Sequence, residues 1–177
     1  MGTAGGCRLD FFLSVEGTHC PIEEPRPFST KWSSFKLGGK PGLNYEIGLS
    51  IHNSKLLWVN GPTPPGKYND LQVFRRSLKN QLPAGKRAIG DKGYIGEADY
   101  VSTCNDLDPR EVAEFKECVS ARHETFNKRL KIYGCLTQRF RHGVENHKVA
   151  FEAICVLTTY ELEVSPLFNS YPAAPVD

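Results

Sequence analysis

Three carboxylates in this sequence stand where a chain can bring acids together. Glu16 follows the apolar run Leu9 to Val15, Asp91 follows Lys86 to Gly90, and Glu124 lies in a stretch of helical character. Two strand ends and a helix can aim their side chains at a common point beside a sheet. Oxygen-only donors of this kind select hard cations, Mg²⁺ or Mn²⁺, over softer metals. Two such ions about 4 Å apart can activate a water or a 3′ hydroxyl and stabilise the leaving oxygen of a phosphodiester. Each acid also has a plain reading: a turn residue for Glu16 and for Asp91, a solvated helix residue for Glu124.

The elements that must position them follow from pattern. Leu9 to Val15, rich in Phe and closed by Glu16-Gly17-Thr18, predicts a buried strand with Glu16 at its tip. Cys20 to Pro41, with four prolines and Gly38-Gly39, reads as loop. Asn44 to Ile51 and Lys55 to Asn60 predict two strands around a His52-Asn53-Ser54 turn, giving a three-stranded antiparallel start. Asn69 or Asp70 can cap a helix running through Val73, Phe74, Leu78 and Leu82 to the Pro83-Ala84-Gly85 stop. Lys86 to Gly90 is a further short strand with Asp91 at its tip. Asp108-Pro109-Arg110-Glu111 starts a helix, with Asp at the cap, that runs with a break to Tyr133 and contains Glu124. Val144 to Leu162 is the last helix. The order is α/β, and a chain of 177 residues fits one domain, 1–165, with a flexible tail over 166–177.

The residues that carry this chemistry resemble a known family. Val15-Glu16-Gly17-Thr18-His19, Pro65-Gly66-Lys67-Tyr68-Asn69-Asp70, Gly90-Asp91-Lys92-Gly93-Tyr94, and His123-Glu124 through Leu130-Lys131 resemble the motifs of Harbinger-like DDE transposases, in order, over Val15 to about Phe140. The resemblance implies an RNase H-like mixed sheet flanked by helices, and the activity of a divalent-metal-dependent DNA endonuclease or polynucleotidyl transferase of transposon origin. It implies Glu16, Asp91 and Glu124 as catalytic metal ligands for two Mg²⁺ or Mn²⁺ ions, Lys131 as a DNA phosphate contact, and Asp70 as an outer-shell residue. Two departures bear on activity. Glu16 replaces the family's aspartate and so carries one extra methylene. Ser120 stands where the family has an arginine, with Arg122 two residues closer to Glu124. A shift of about 1 Å at a reacting group can lower a rate about a hundredfold, so impaired cleavage is expected. The alternative is a domesticated, non-catalytic DNA- or protein-binding module on the same fold. Family members usually carry a DNA-binding helical domain ahead of the catalytic one, whereas fifteen residues precede Glu16. Sequence-specific binding is then expected to need a separate DNA-binding partner protein.

Composition limits the other possibilities. Hydrophobic residues make up 40% and charged residues 24%, with no apolar run near the roughly 20 residues a membrane span needs. Nor does Met1 to Gly6 carry the basic cluster of a signal peptide, so the expectation is an intracellular protein, nuclear in a eukaryote. Six dispersed cysteines without a CxxC pair signal neither a zinc ribbon nor a disulfide framework, and His19-Cys20 has no second ligand pair. Gly38-Gly39-Lys40-Pro41-Gly42 lacks the length and hydroxyl residue of a phosphate loop. Net charge is only +2, but Ala121 to Lys148 holds seven basic residues against two acidic ones, with His123, His142 and His147 in reserve. That segment reads either as a phosphate-binding surface or as a solvated face.

Overall fold

β1 (Phe11–Pro21) is the middle strand of a five-stranded sheet, and the chain builds outward from it on both sides. β2 (Gly42–Ser50) and β3 (Leu56–Thr63) form the antiparallel wing, so that the three-stranded start read from the sequence is present. β4 (Arg87–Gly90) lies parallel to β1 on the other side, followed by a two-residue strand β5 (Val101–Ser102) that the sequence pattern did not reveal. The computed structural model describes residues 10–27 and 29–169. The expected strand start at Leu9 and the expected tail beyond Asn169 lie outside these.

Both faces of the sheet are covered, which is why β2 is buried at every position. On one face lie α2 (Arg110–Leu130), the short α3 (Gly134–Thr137) and α4 (Val144–Val164). Phe115, Val119, Phe126 and Leu130 recur at helical spacing and form the buried face of α2. Tyr45 of β2 stacks on Phe151 of α4, with ring centroids 3.7 Å apart, and its hydroxyl hydrogen-bonds His147 Nδ1. On the other face α1 (Asp70–Arg76) buries Val73 and Phe74, with Phe74 packed in one cluster with Leu13, Val15 and Tyr94. The result is the α/β arrangement of a mixed sheet flanked by helices. No helix among the described residues is long and apolar enough to cross a membrane.

Several local expectations need correction. Glu16 is not at a strand tip, because β1 continues past it and stays paired with β2 as far as Pro21 opposite Gly42. Cys20 and Pro21 therefore belong to the strand and not to the loop. The first helix stops at Arg76 and gives way to a 3-10 turn, Leu78–Asn80, although Leu78 remains buried as its spacing predicts. α2 is unbroken. Asp108 does not cap it, for its carboxylate is bonded at 2.7 Å to the buried ammonium of Lys116. Leu167 is buried beside the β2–β3 turn, where its N–H donates to Ser54 Oγ, so the expected tail is docked at its start.

Arg122 is the residue that fastens this last contact. Its guanidinium is buried and donates to the carbonyls of Ser50, Asn53 and Phe168. Arg122→Met would leave those acceptors without a donor. We predict a loss of about 2–4 kcal/mol in urea unfolding. A loss under about 0.5 kcal/mol, the size of an ordinary surface substitution, would contradict this role.

Candidate active site

The pairing of β1 with β4 ends at Val15 opposite Gly90. From Glu16 onward no named strand among the described residues covers that edge of β1, which is met again only by the bridge of Phe140 to Ile22, and the chain leaving β4 turns there. Alternation along the strand sends Glu16 toward α2 and Gly17 toward α1. Glu16 Oε2 accepts a 2.9 Å hydrogen bond from Asn127 Nδ2 on α2. Beside Gly17 stands the carboxylate of Asp70. A Cβ on Gly17 would lie 2.3 Å from Asp70 Oδ1 and 3.0 Å from Asn44 Oδ1, so a side chain there would push Asp70 out of place. The Glu-Gly-Thr sequence resembles a turn for this reason, yet its glycine makes room for α1 within a continuing strand.

Gly90-Asp91-Lys92-Gly93-Tyr94 is likewise shaped by packing. The wholly buried ring of Tyr94 lies over Gly90, where a Cβ would come within 2.9 Å of Cδ2. Asp91 caps the 3-10 turn Lys92–Tyr94, accepting from the Gly93 N–H at 2.8 Å. Asp91 itself is exposed. The position of a Cβ on Gly93 is 2.9 Å from Asp91 Oδ1 and 3.2 Å from Asp70 Oδ2, which puts both carboxylates around one point.

Asp70 reaches this place because it is free of capping duty. Asn69 caps α1, accepting from the Gln72 N–H while Gln72 Oε1 accepts from the Asn69 N–H. Asp70 Oδ1 then accepts from Asn44 Nδ2 and Oδ2 from Lys36 Nζ, each at 3.0 Å. Lys36, in the 3-10 turn Phe35–Leu37, also donates to the Gly17 carbonyl at 3.2 Å. Nothing in the spacing of Lys36 or Asn44 marked them beforehand. Asn127 alone left a trace, three residues after Glu124 and four before Lys131 on one helix face.

The electrostatics tie these groups together. Burial pushes the Glu16 carboxyl up from its ordinary 4.5 to about 7; Asp91 and Glu124 raise it as neighbouring negative charges, while Lys36 and the Asn127 hydrogen bond pull it down. Glu124 is exposed and pairs with Lys128 at 3.0 Å. Lys131, exposed at the end of α2, forms no ion pair among the described residues and lies near enough to His19 and Cys20 to affect their titration. Of the basic segment around it, Arg122 is buried, Lys128 and Lys148 pair with Glu124 and Glu152, and Arg141 lies 3.7 Å from Glu23. His123 and His147 hold no charge in reserve, since burial lowers them to about 3 and about 4. His19 is buried against Ser34 Oγ and lowered to about 4 in the same way.

The donor chemistry suits a hard divalent cation. The geometry falls short of a coordination shell, because no three His, Cys, Asp or Glu side chains among the described residues stand close enough to hold one ion. Glu16, Asp91 and Glu124 thus share a neighbourhood in which each has a protein partner of its own. The groove lined by His52, Leu57, Leu162, Pro166 and Phe168 contains none of them.

The family model described as DDE superfamily endonuclease matches residues 15–159, most of the chain and every residue of this site. No curated protein and no solved structure gives a significant match.

The raised Glu16 carboxyl makes a pH prediction. The folded state binds a proton that the unfolded chain releases near 4.5, so this contribution to stability is complete below that pH and is lost as pH rises through about 7. Glu16→Gln keeps the acceptor for Asn127 and removes the titration. In EDTA it should match wild type near pH 4 and exceed it at pH 8 by on the order of 2 kcal/mol. Parallel urea midpoints across that range would refute the burial assigned to Glu16. In both proteins Glu46, buried and likewise raised to about 7, adds a loss of the same sign, while His19, His123 and His147, held low by burial, add a gain as pH rises toward 6.5.

Proposed function

Because the chain belongs to the DDE superfamily endonucleases, whose RNase H-like fold it shares, we propose that it cuts or joins DNA phosphodiesters at the open edge of β1. Glu16, Asp91 and Glu124 are the metal-binding acids of this reading. The observation that carries it is Glu16: a half-buried carboxyl, oriented by Asn127, with Asp91 and Glu124 as its negative neighbours. When bound, Mg²⁺ or Mn²⁺ ions would supply Lewis-acid polarisation of the phosphate and a nucleophile at neutral pH.

The protein's own groups divide the remaining work. Asn127 fixes the Glu16 carboxylate, and the extra methylene of Glu16 relative to aspartate sets that carboxylate farther from its backbone. Glu124 is held by an exposed i,i+4 pair with Lys128, worth about 0.3–0.5 kcal/mol, so it turns toward the site at little expense. Lys131 meets a backbone phosphate as a point charge without reading sequence. A DNA substrate places the protein inside the cell, in the nucleus of a eukaryote.

Mn²⁺-dependent nicking of supercoiled plasmid is the expected activity, lost in Asp91→Ala and raised in Glu16→Asp by roughly tenfold or more. Equal nicking by wild type and Asp91→Ala would assign the activity to a contaminant and remove the proposal. The engagement of all three acids by protein partners favours a second reading, a non-catalytic module. That reading predicts metal-independent DNA binding without cleavage, falling steeply with salt.

A further inference from the structure

Next to the acids lies a surface of the opposite charge. Pro25 to Asn69 holds six basic residues, Arg26, Lys31, Lys36, Lys40, Lys55 and Lys67, against one acid, Glu46, which is buried. Two loops of this stretch are fastened together where they approach Asp70. The Gly66 N–H donates to the Lys31 carbonyl at 2.8 Å, and a Cβ on Gly66 would lie 2.2 Å from the Thr30 carbonyl oxygen, so the second loop lies directly against the first. Farther on, Lys36 of the first loop reaches Asp70, the residue after the second, at 3.0 Å.

The loops set aromatic rings among these cations. Lys31 Nζ lies 5.0 Å from the centroid of the Trp32 ring, and the Tyr68 ring has Lys67 Nζ at 5.1 Å and the Arg76 guanidinium at 4.7 Å. Phe35 differs from both, being 97% exposed. Its backbone is nevertheless held firmly. The preceding residue, Ser34, is wholly buried; its hydroxyl bonds His19 Nδ1 at 2.6 Å and accepts from the Leu37 N–H, while its own N–H donates to the Lys40 carbonyl and its carbonyl accepts from the Gly39 N–H. A phenyl ring kept in water forgoes the roughly 1.5–3 kcal/mol that burial of such a side chain gains. Here it stands on a fastened turn, one residue from the lysine that touches the acids.

Cations interleaved with aromatic rings recognise the two parts of a nucleotide, its phosphate and the flat face of its base. In a duplex the bases cover one another's faces, and none is offered to a protruding ring. In an unpaired strand the faces are free. We infer that the loops 29–41 and 64–69 form a platform for single-stranded DNA, with one base stacked on Phe35 and neighbouring phosphates met by Lys31, Lys67 and Arg76. This rests on the DNA-processing reading above and deepens it by naming the form of the DNA at the open edge of β1, a strand unpaired beside the phosphodiester that is cut or joined. Lys36 links the two places, because the residue next to Phe35 in the chain is bonded to Asp70.

The test is fluorescence anisotropy, in EDTA so that no strand is cut, with a labelled oligothymidylate of about 16 nucleotides and with its duplex on oligodeoxyadenylate. Wild type should bind the single strand roughly tenfold more tightly than the duplex. Phe35→Ala should weaken single-strand binding roughly tenfold and leave duplex binding within about twofold, while Phe35→Trp keeps the wild-type preference. Lys67→Gln should lower the slope of log Kd against log salt by about 0.7, the share of one single-strand phosphate. An unchanged single-strand Kd in Phe35→Ala overturns the inference, and so does an equal loss on the duplex, which would mark a structural effect. Should circular dichroism show Phe35→Ala misfolded, 2-aminopurine within the strand gives the answer on the wild-type protein: quenching on binding supports the stack, and undiminished fluorescence overturns it. Nicking that depends on Asp91, together with single-strand binding indifferent to Phe35, removes this inference alone. Phe35-dependent single-strand binding without any Mn²⁺-dependent nicking keeps the platform and removes the cleaving reading. No binding of either DNA removes both.

Discussion

Carboxylates gathered at the edge of a strand repel one another, and burial sharpens that repulsion by withdrawing the water that would screen it. In this protein the constraint arises where β4 stops pairing with β1. Past Val15 and Gly90 the strand edge is open, and acids from β1, from the turn after β4, from α1 and from α2 come toward it. The local structure answers the charge one acid at a time. Glu16 shifts toward the neutral form and takes a hydrogen bond from Asn127, Asp70 takes Lys36 and Asn44, Asp91 takes the Gly93 N–H, and Glu124 takes Lys128.

Much of the surrounding packing serves to hold this edge. At Gly17 a side chain would meet Asp70, and at Gly90 it would meet the ring of Tyr94. Asn69 takes over the cap of α1 and so leaves the next residue free to face the site. On the opposite face the regular apolar spacing of α2 fixes the rotation of the helix, which puts Asn127 over Glu16. Rigid elements on both sides thus present acids that each have a protein partner of their own.

The sequence was informative where periodicity and punctuation decide structure. The antiparallel wing, β4 with Asp91 at its end, and both long helices were legible because each has apolar spacing bounded by Gly, Pro or a cap. It misled at Glu16-Gly17-Thr18, where a glycine demanded by tertiary contact looked like a glycine demanded by a turn. Arg122, His123 and His147 looked like available charge, yet they are buried, because a one-dimensional charge count carries no information about which side of a helix faces the sheet. Lys36 was hidden most completely. It lies in a Gly- and Pro-rich segment with no periodic pattern, and only the folding of that segment against β1 and α1 brings it to Asp70, 34 residues further along the chain.

The proposed function turns on whether Glu16, Asp91 and Glu124 take up a divalent cation. Crystals grown with Mn²⁺ and measured at the manganese absorption edge test it most directly. The account predicts an anomalous peak contacted by Glu16, Asp91 and Glu124, with Glu124 turned away from Lys128. Well-diffracting crystals with no peak at the open edge of β1 would contradict it.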